Sequence, residues 1–199
     1  MSKVELLYID DFVDLELSKY LDGYKYDGVE VNYKELKFLP EDGYDSLISN
    51  SDVQCADVII IDSDLFQNRL ASNGKFLGEE FKIIMKRFFP LKEVIVVSQH
   101  GENQQKNVIA KYDIDAKLNA GEYYNQRLKD KLDNFIHDNI VNNNLLNEFL
   151  VNTYWNIDFK NRISELLKGQ NEYEELKKED IDKLISSFEE LRRKIDGGL

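Results

Sequence analysis

Four residues of this chain have the types and the placement to do chemistry together: Asp10, Asp11, Asp62 and Ser98. Each stands just past an apolar run. Residues 4–9 lead into Asp10 and Asp11, residues 58–61 into Asp62, and residues 93–97 into Ser98. Three carboxylates gathered at one place repel one another, and the cost is relieved by a cation. Oxygen-only ligands suit a hard ion, and Mg²⁺ is the usual one beside a phosphoryl group. A serine hydroxyl nearby can bond a phosphoryl oxygen. The chemistry open to such a set is attack by the Asp62 carboxylate on a phosphoryl donor, giving an aspartyl phosphate. The plainer reading stays open beside it: Asp10 and Asp11 as helix caps, Asp62 and Ser98 as turn residues.

The elements that must position these groups come next. Val58-Ile59-Ile60-Ile61 is a continuous β-branched run, the pattern of a strand buried on both faces of a parallel sheet. Residues 4–9, 29–31, 57–61, 93–97 and 114–118 are the expected strands. Helices are expected over 12–21, 44–49, 79–89 (ended by Pro90) and 102–111, with a closing helix from Glu122 to about Asp138. Strand and helix alternate five times, which predicts an α/β fold: a flavodoxin-like, doubly wound, five-stranded parallel sheet. In such a sheet, ligands sit at the carboxyl ends of the strands. Beyond residue 118 no strand signal appears. A C-terminal all-helical extension is expected, so the division is 1–138 for the sheet domain and 139–199 for the extension. An Asn-rich patch at 139–147 makes a helix break there an open question. Ile181, Leu184, Ile185, Phe188, Leu191 and Ile195 line one face of a last helix. That stripe needs cover, from earlier helices or from a second copy in a homodimer.

The chain has 199 residues and a net charge of −12. That balance argues against binding to nucleic-acid backbone and against docking on an anionic membrane. Apolar runs are too short to span a bilayer, the first residues lack the core of a signal peptide, and Cys55 is the lone cysteine. A cytoplasmic location is the expectation, with Cys55 buried or half-buried. No Gly-rich loop follows the first strand, so a nucleotide or flavin cofactor is not expected. His100 and His137 read as loop and helix residues.

In its residues 3–138 the chain resembles the receiver domain of bacterial two-component response regulators. Tyr8-Ile9-Asp10-Asp11 is similar to the family's opening acidic pair, and Val58-Ile59-Ile60-Ile61-Asp62 to its phosphoacceptor strand. Leu77-Gly78-Glu79-Glu80-Phe81 is similar to its Gly-led third helix, and Ile95-Val96-Val97-Ser98 to the strand that ends in the switch Ser or Thr. The resemblance implies Asp62 as phosphoacceptor, Ser98 as switch residue, and Asp10, Asp11 and Asp62 as ligands of a weakly held Mg²⁺. The chain also departs from the pattern. With the fifth strand at 114–118, the family's invariant Lys falls on Ala120, its following Pro on Gly121 and its switch aromatic on Lys117. Asp64 adds negative charge two residues past Asp62, and the loop 63–78 is long.

These departures point to a degenerate receiver, or pseudo-receiver. The implied role is an adaptor without enzymatic turnover. It would work through protein–protein contacts of the helical extension, with a partner or with itself, in a bacterial signalling or defence assembly. The alternative is a working phosphorelay receiver, autophosphorylated on Asp62 with Mg²⁺.

Overall fold

The computed structural model describes residues 2–65, 76–99, 108–113, 115, 117–151, 161 and 164–165. The chain divides into two compact units, residues 1–169 and 170–199. The described residues all lie in the first. The apolar stripe of 181–195 and His100 lie outside the described residues.

Five strands form one parallel sheet: β1 (Ser2–Asp10), β2 (Val29–Lys37), β3 (Val58–Asp62), β6 (Glu93–Ser98) and β7 (Val108–Ala110), in the order β2-β1-β3-β6-β7. Numbered as five, that is 2-1-3-4-5, the flavodoxin-like order. The expected α/β architecture is therefore what the chain adopts. All five residues of β3 are buried, as a central strand flanked by parallel neighbours requires.

The chain reverses direction across the sheet after β2. Right-handed crossovers then place the connections on opposite faces. One face carries α1 (Leu15–Asp22), α5 (Ala120–Arg127) and α6 (Lys129–Val151). Val4, Leu6, Tyr8, Val58, Ile60, Ile95 and Val97 pack there with Leu17, Leu21, Tyr124, Leu128, Leu132 and Ile136. The alternate strand residues Leu7, Ile9, Ile59, Ile61, Val94 and Val96 are equally buried. Their side is that of α2 (Tyr44–Ser49), α3 (Ser51–Cys55) and α4 (Gly78–Phe88), where Leu47, Ile48, Val53, Phe81, Ile84 and Met85 are buried. Burying one such side chain stabilises the fold by about 1.5–3 kcal/mol.

Several elements differ from the sequence expectation. α1 starts at Leu15 rather than residue 12, because the Asp14 carboxylate caps the N–H groups of Glu16 and Leu17; Phe12 is left outside and 80% exposed. Cys55 is exposed rather than buried. The long connection after Asp62 is stitched at its ends by a short antiparallel ribbon, β4 (Asp64–Leu65) with β5 (Phe76–Leu77). The ribbon returns the chain to the strand end, where the Gly78 N–H donates to the Ser63 carbonyl at 3.0 Å.

The largest difference is the fifth strand. It lies at Val108–Ala110, within the span expected to be helical; residues 115 and 117–118 are turn and bend. Finally, α6 passes unbroken through residue 138 and the Asn-rich patch to Val151. Asn139 is buried and donates to Asp57 Oδ1 at 3.3 Å, and Asn143 bonds Asn139 Oδ1 at 2.9 Å one turn on. The poor helix former at 139 is thus paired rather than helix-breaking.

Candidate functional site: an acidic strand edge bridged by a lysine

The site lies where the strand order reverses, at the carboxyl ends of β1 and β3. Register decides which groups meet. Ile9 pairs with Ile61, Asp62 with Val97, and Val97 with Ile109. Paired residues of parallel strands share a face, so Asp10, Asp62 and Lys111 all fall on the α1/α5 face. The carboxylate oxygens of Asp10, Asp11 and Asp62 lie within 4.8 Å of one another. Sequence reasoning had placed those three together. It had missed Lys111.

Lys111 Nζ lies 2.7 Å from Asp10 Oδ2 and 2.6 Å from Asp62 Oδ1. Exposure of the three side chains is only 3%, 2% and 9% respectively, so the bridge is screened little by solvent. The two contacts differ in kind. Lys111 donates a hydrogen bond to Asp10. Toward Asp62 Oδ1 it makes an ion pair without hydrogen-bond alignment, and that oxygen has no hydrogen-bond partner. Asp62 Oδ2 accepts the Asp64 N–H at 3.0 Å, a turn that fixes the carboxylate and leaves Oδ1 as the atom available for chemistry.

Asp10 is more fully held. Its Oδ1 accepts the Phe12 N–H at 3.0 Å, and its Oδ2 accepts the Tyr8 hydroxyl as well as Lys111. Tyr8 is fully buried, and its phenol oxygen in turn accepts the Asp14 N–H at 3.3 Å. Asp14, not Asp10 or Asp11, is the cap of α1. That removes the plainer reading of the acidic pair as N-cap residues.

Burial pushes the Asp10 and Asp62 carboxyls above the usual carboxylate range, against the pull of Lys111. Burial also works against the Lys111 charge, but the Asp62 and Asp10 carboxylates win and hold its pKa above the ordinary lysine value. Three carboxylates facing one ammonium leave the edge with excess negative charge. This all-oxygen donor set fits a hard divalent cation held by Asp10, Asp11 and Asp62.

Ser98 is buried at the next register position, paired with Ala110. Its carbonyl accepts the Lys111 N–H at 2.8 Å, so Ser98 holds the backbone that carries the lysine. On the other side of the edge, Gly78 is obligatory. A Cβ there would sit 2.4 Å from the Asp62 carbonyl oxygen, so only glycine lets α4 start against the end of β3.

Ala120 is the first residue of α5, not the end of a strand. The residue just past the fifth strand is Lys111. The signal was present in Val108-Ile109-Ala110-Lys111, two β-branched residues and a small one running into a cation, but the polar residues before it read as a helix.

The described residues contain no helix long and apolar enough to cross a membrane. In comparisons with known proteins, no family model, no curated protein and no solved structure matches this chain.

Proposed function

We propose that this chain is a receiver-like signalling module whose switch is phosphorylation of Asp62. The observation that carries the reading is the Lys111 ammonium between Asp10 and Asp62. The resemblance of the sequence implied a lysine at this place, and its apparent loss was the chief ground for a degenerate site. With Lys111 as that lysine, Tyr112 takes the position of the family's Pro and Val108 that of its switch aromatic.

In this reading Asp62 Oδ1 attacks the phosphorus of an acyl or histidyl phosphate. A new O–P bond forms to Asp62, the donor's O–P or N–P bond breaks, and the electron pair leaves with the donor group. Asp62 must be ionised for this; burial opposes the charged form and the Lys111 ammonium favours it. After transfer Lys111 pairs with a phosphoryl oxygen. Asp10 and Asp11, with Asp62, would hold a Mg²⁺ ion, which supplies charge neutralisation for the incoming phosphoryl group. Tyr8 and the Phe12 N–H keep Asp10 pointed at the site. The modification is a change of state rather than turnover, so the module is not an enzyme in the ordinary sense.

A second reading keeps the fold as a static interaction scaffold in a bacterial signalling or defence assembly. One observation favours it: Asp64, whose N–H bonds Asp62, adds negative charge where a phosphoryl group would arrive. Intact mass after incubation of the full chain with acetyl phosphate and Mg²⁺ decides between them. The proposal expects a gain of one phosphoryl group that is absent in Asp62→Asn. No gain in the wild type would leave the scaffold reading standing.

A further inference from the structure

Strand β7 has three residues and lies at the sheet edge, paired to β6 alone. So short a ladder cannot by itself fix the direction of the residue beyond its end, yet Lys111 must meet two carboxylates at once. The backbone around Lys111 is tied at three successive residues. Before it, the Ala110 carbonyl accepts the Tyr123 hydroxyl at 3.0 Å. At Lys111, the N–H goes to Ser98. After it, the Tyr112 N–H donates to the Tyr124 hydroxyl oxygen at 3.0 Å.

Two of these three ties come from adjacent phenols on the first turns of α5. Their rings meet edge to face, with centroids 5.4 Å apart, and Tyr112 packs edge-on against Tyr123 at 5.8 Å. Tyr124 is fully buried and lies against Tyr20 of α1 at 5.3 Å; Tyr20 in turn donates to Asn125 of α5 at 3.1 Å. The hydroxyls bond the backbone of the strand end, so phenylalanine keeps the ring contacts but loses those bonds.

We propose that Tyr123 and Tyr124 are positioning residues for Lys111: their hydroxyls clamp the end of β7 so that the ammonium lies between Asp10 and Asp62, and they tie the acidic edge to α5 and α1. The inference deepens the phosphoacceptor reading, since the residue positioned is the one that would pair with the phosphoryl group. A change at Lys111 then pulls on α5 through two hydrogen bonds, which makes the α1–α5 face the part of the surface that responds to the site.

The test uses the full chain with Tyr123→Phe and Tyr124→Phe, singly and together, and Tyr24→Phe as control. Tyr24 is also a phenol of this core, but its hydroxyl bonds Asp133 on α6, away from β7. Two readouts are followed in the unphosphorylated protein: the Lys111 ammonium resonance and hydrogen exchange at the Tyr112 amide. Loss of a hydrogen bond raises that exchange by about five- to tenfold if the clamp opens locally. The expected result is a displaced Lys111 resonance and faster Tyr112 exchange in the Tyr123 and Tyr124 variants, with both unchanged in Tyr24→Phe. An unmoved Lys111 resonance in the double variant overturns the proposal, and so does the same displacement in the control. If the double variant does not fold, the Tyr124→Phe single variant is judged by the same two readouts. Because neither needs phosphorylation, the clamp stands or falls separately from the phosphoacceptor reading, which fails only if wild-type protein gains no phosphoryl group.

Discussion

Replacing Lys111 with methionine isolates the energetics of the acidic edge. Methionine keeps most of the length and adapts to irregular space, so the change removes the charge with little loss of packing. What is left behind are Asp10 and Asp62, with side chains 2% and 9% exposed, facing each other without their shared cation. Removing one partner of a buried ion pair costs about 3–5 kcal/mol. For a domain of this size that corresponds to a fall in melting temperature of about 6–20 °C. The loss depends on pH with a definite sign. Lys111 is what holds the two carboxyls down against burial. Without it their folded-state values rise further above the ordinary 3.8. A carboxyl raised in this way stabilises the fold fully below its unfolded value and loses that contribution as pH rises through its folded value. The variant's deficit is therefore largest near neutral pH and shrinks toward pH 4. Urea denaturation of wild type and Lys111→Met at several pH values measures it. A deficit under about 0.5 kcal/mol at pH 7, the ordinary range for a surface change, would refute the bridge as an energetic element. So would a deficit that grows on acidification.

Asp62→Asn should do the reverse. With one carboxylate neutralised, Lys111 and Asp10 form a balanced pair, so the melting temperature at pH 7 should rise and the fall in stability between pH 4 and 7 should flatten; a lower melting temperature would show that Asp62 is not under electrostatic strain. Gly78→Ala should destabilise by about 1–3 kcal/mol, because its Cβ would meet the Asp62 carbonyl at 2.4 Å; wild-type stability would mean that α4 can shift at no cost.

The legible part of the fold is the part that is buried on both sides. β3 and β6 are continuous β-branched runs with one apolar residue after another, and both strands lie where residues 57–61 and 93–97 predicted them, within a residue at each end. A central parallel strand has no polar face to blur the signal. The edge strands show the converse. β2 runs from Val29 to Lys37, yet only residues 29–31 were read as a strand, because the rest is half-exposed or exposed and carries Asn32, Lys34 and Glu35. The ends of the first helix were blurred for a different reason: Phe12 and Leu15 are apolar but exposed, so the hydrophobic pattern overran the cap at Asp14.

The same physics explains why the acidic residues and Ser98 were visible and Lys111 was not. Asp10, Asp62 and Ser98 follow strands whose strength announces their ends. Lys111 follows the weakest strand in the sheet. Val108–Ala110 has one neighbour, three register pairs and one buried residue, Ile109, and its two β-branched residues are outweighed by the polar residues before them. Its position is set instead by partners remote in sequence: Ser98 through the Lys111 N–H, Tyr123 and Tyr124 through the backbone on either side, and two carboxylates through Nζ. A strand that needs so many tertiary ties is a poor choice for stability but suits the switch proposed above. Each tie contributes little, on the order of 1 kcal/mol for a hydrogen bond, so a change of charge at Asp62 can compete with them. A lysine placed at the end of β3 or β6 would be locked by its ladder and could not transmit such a change.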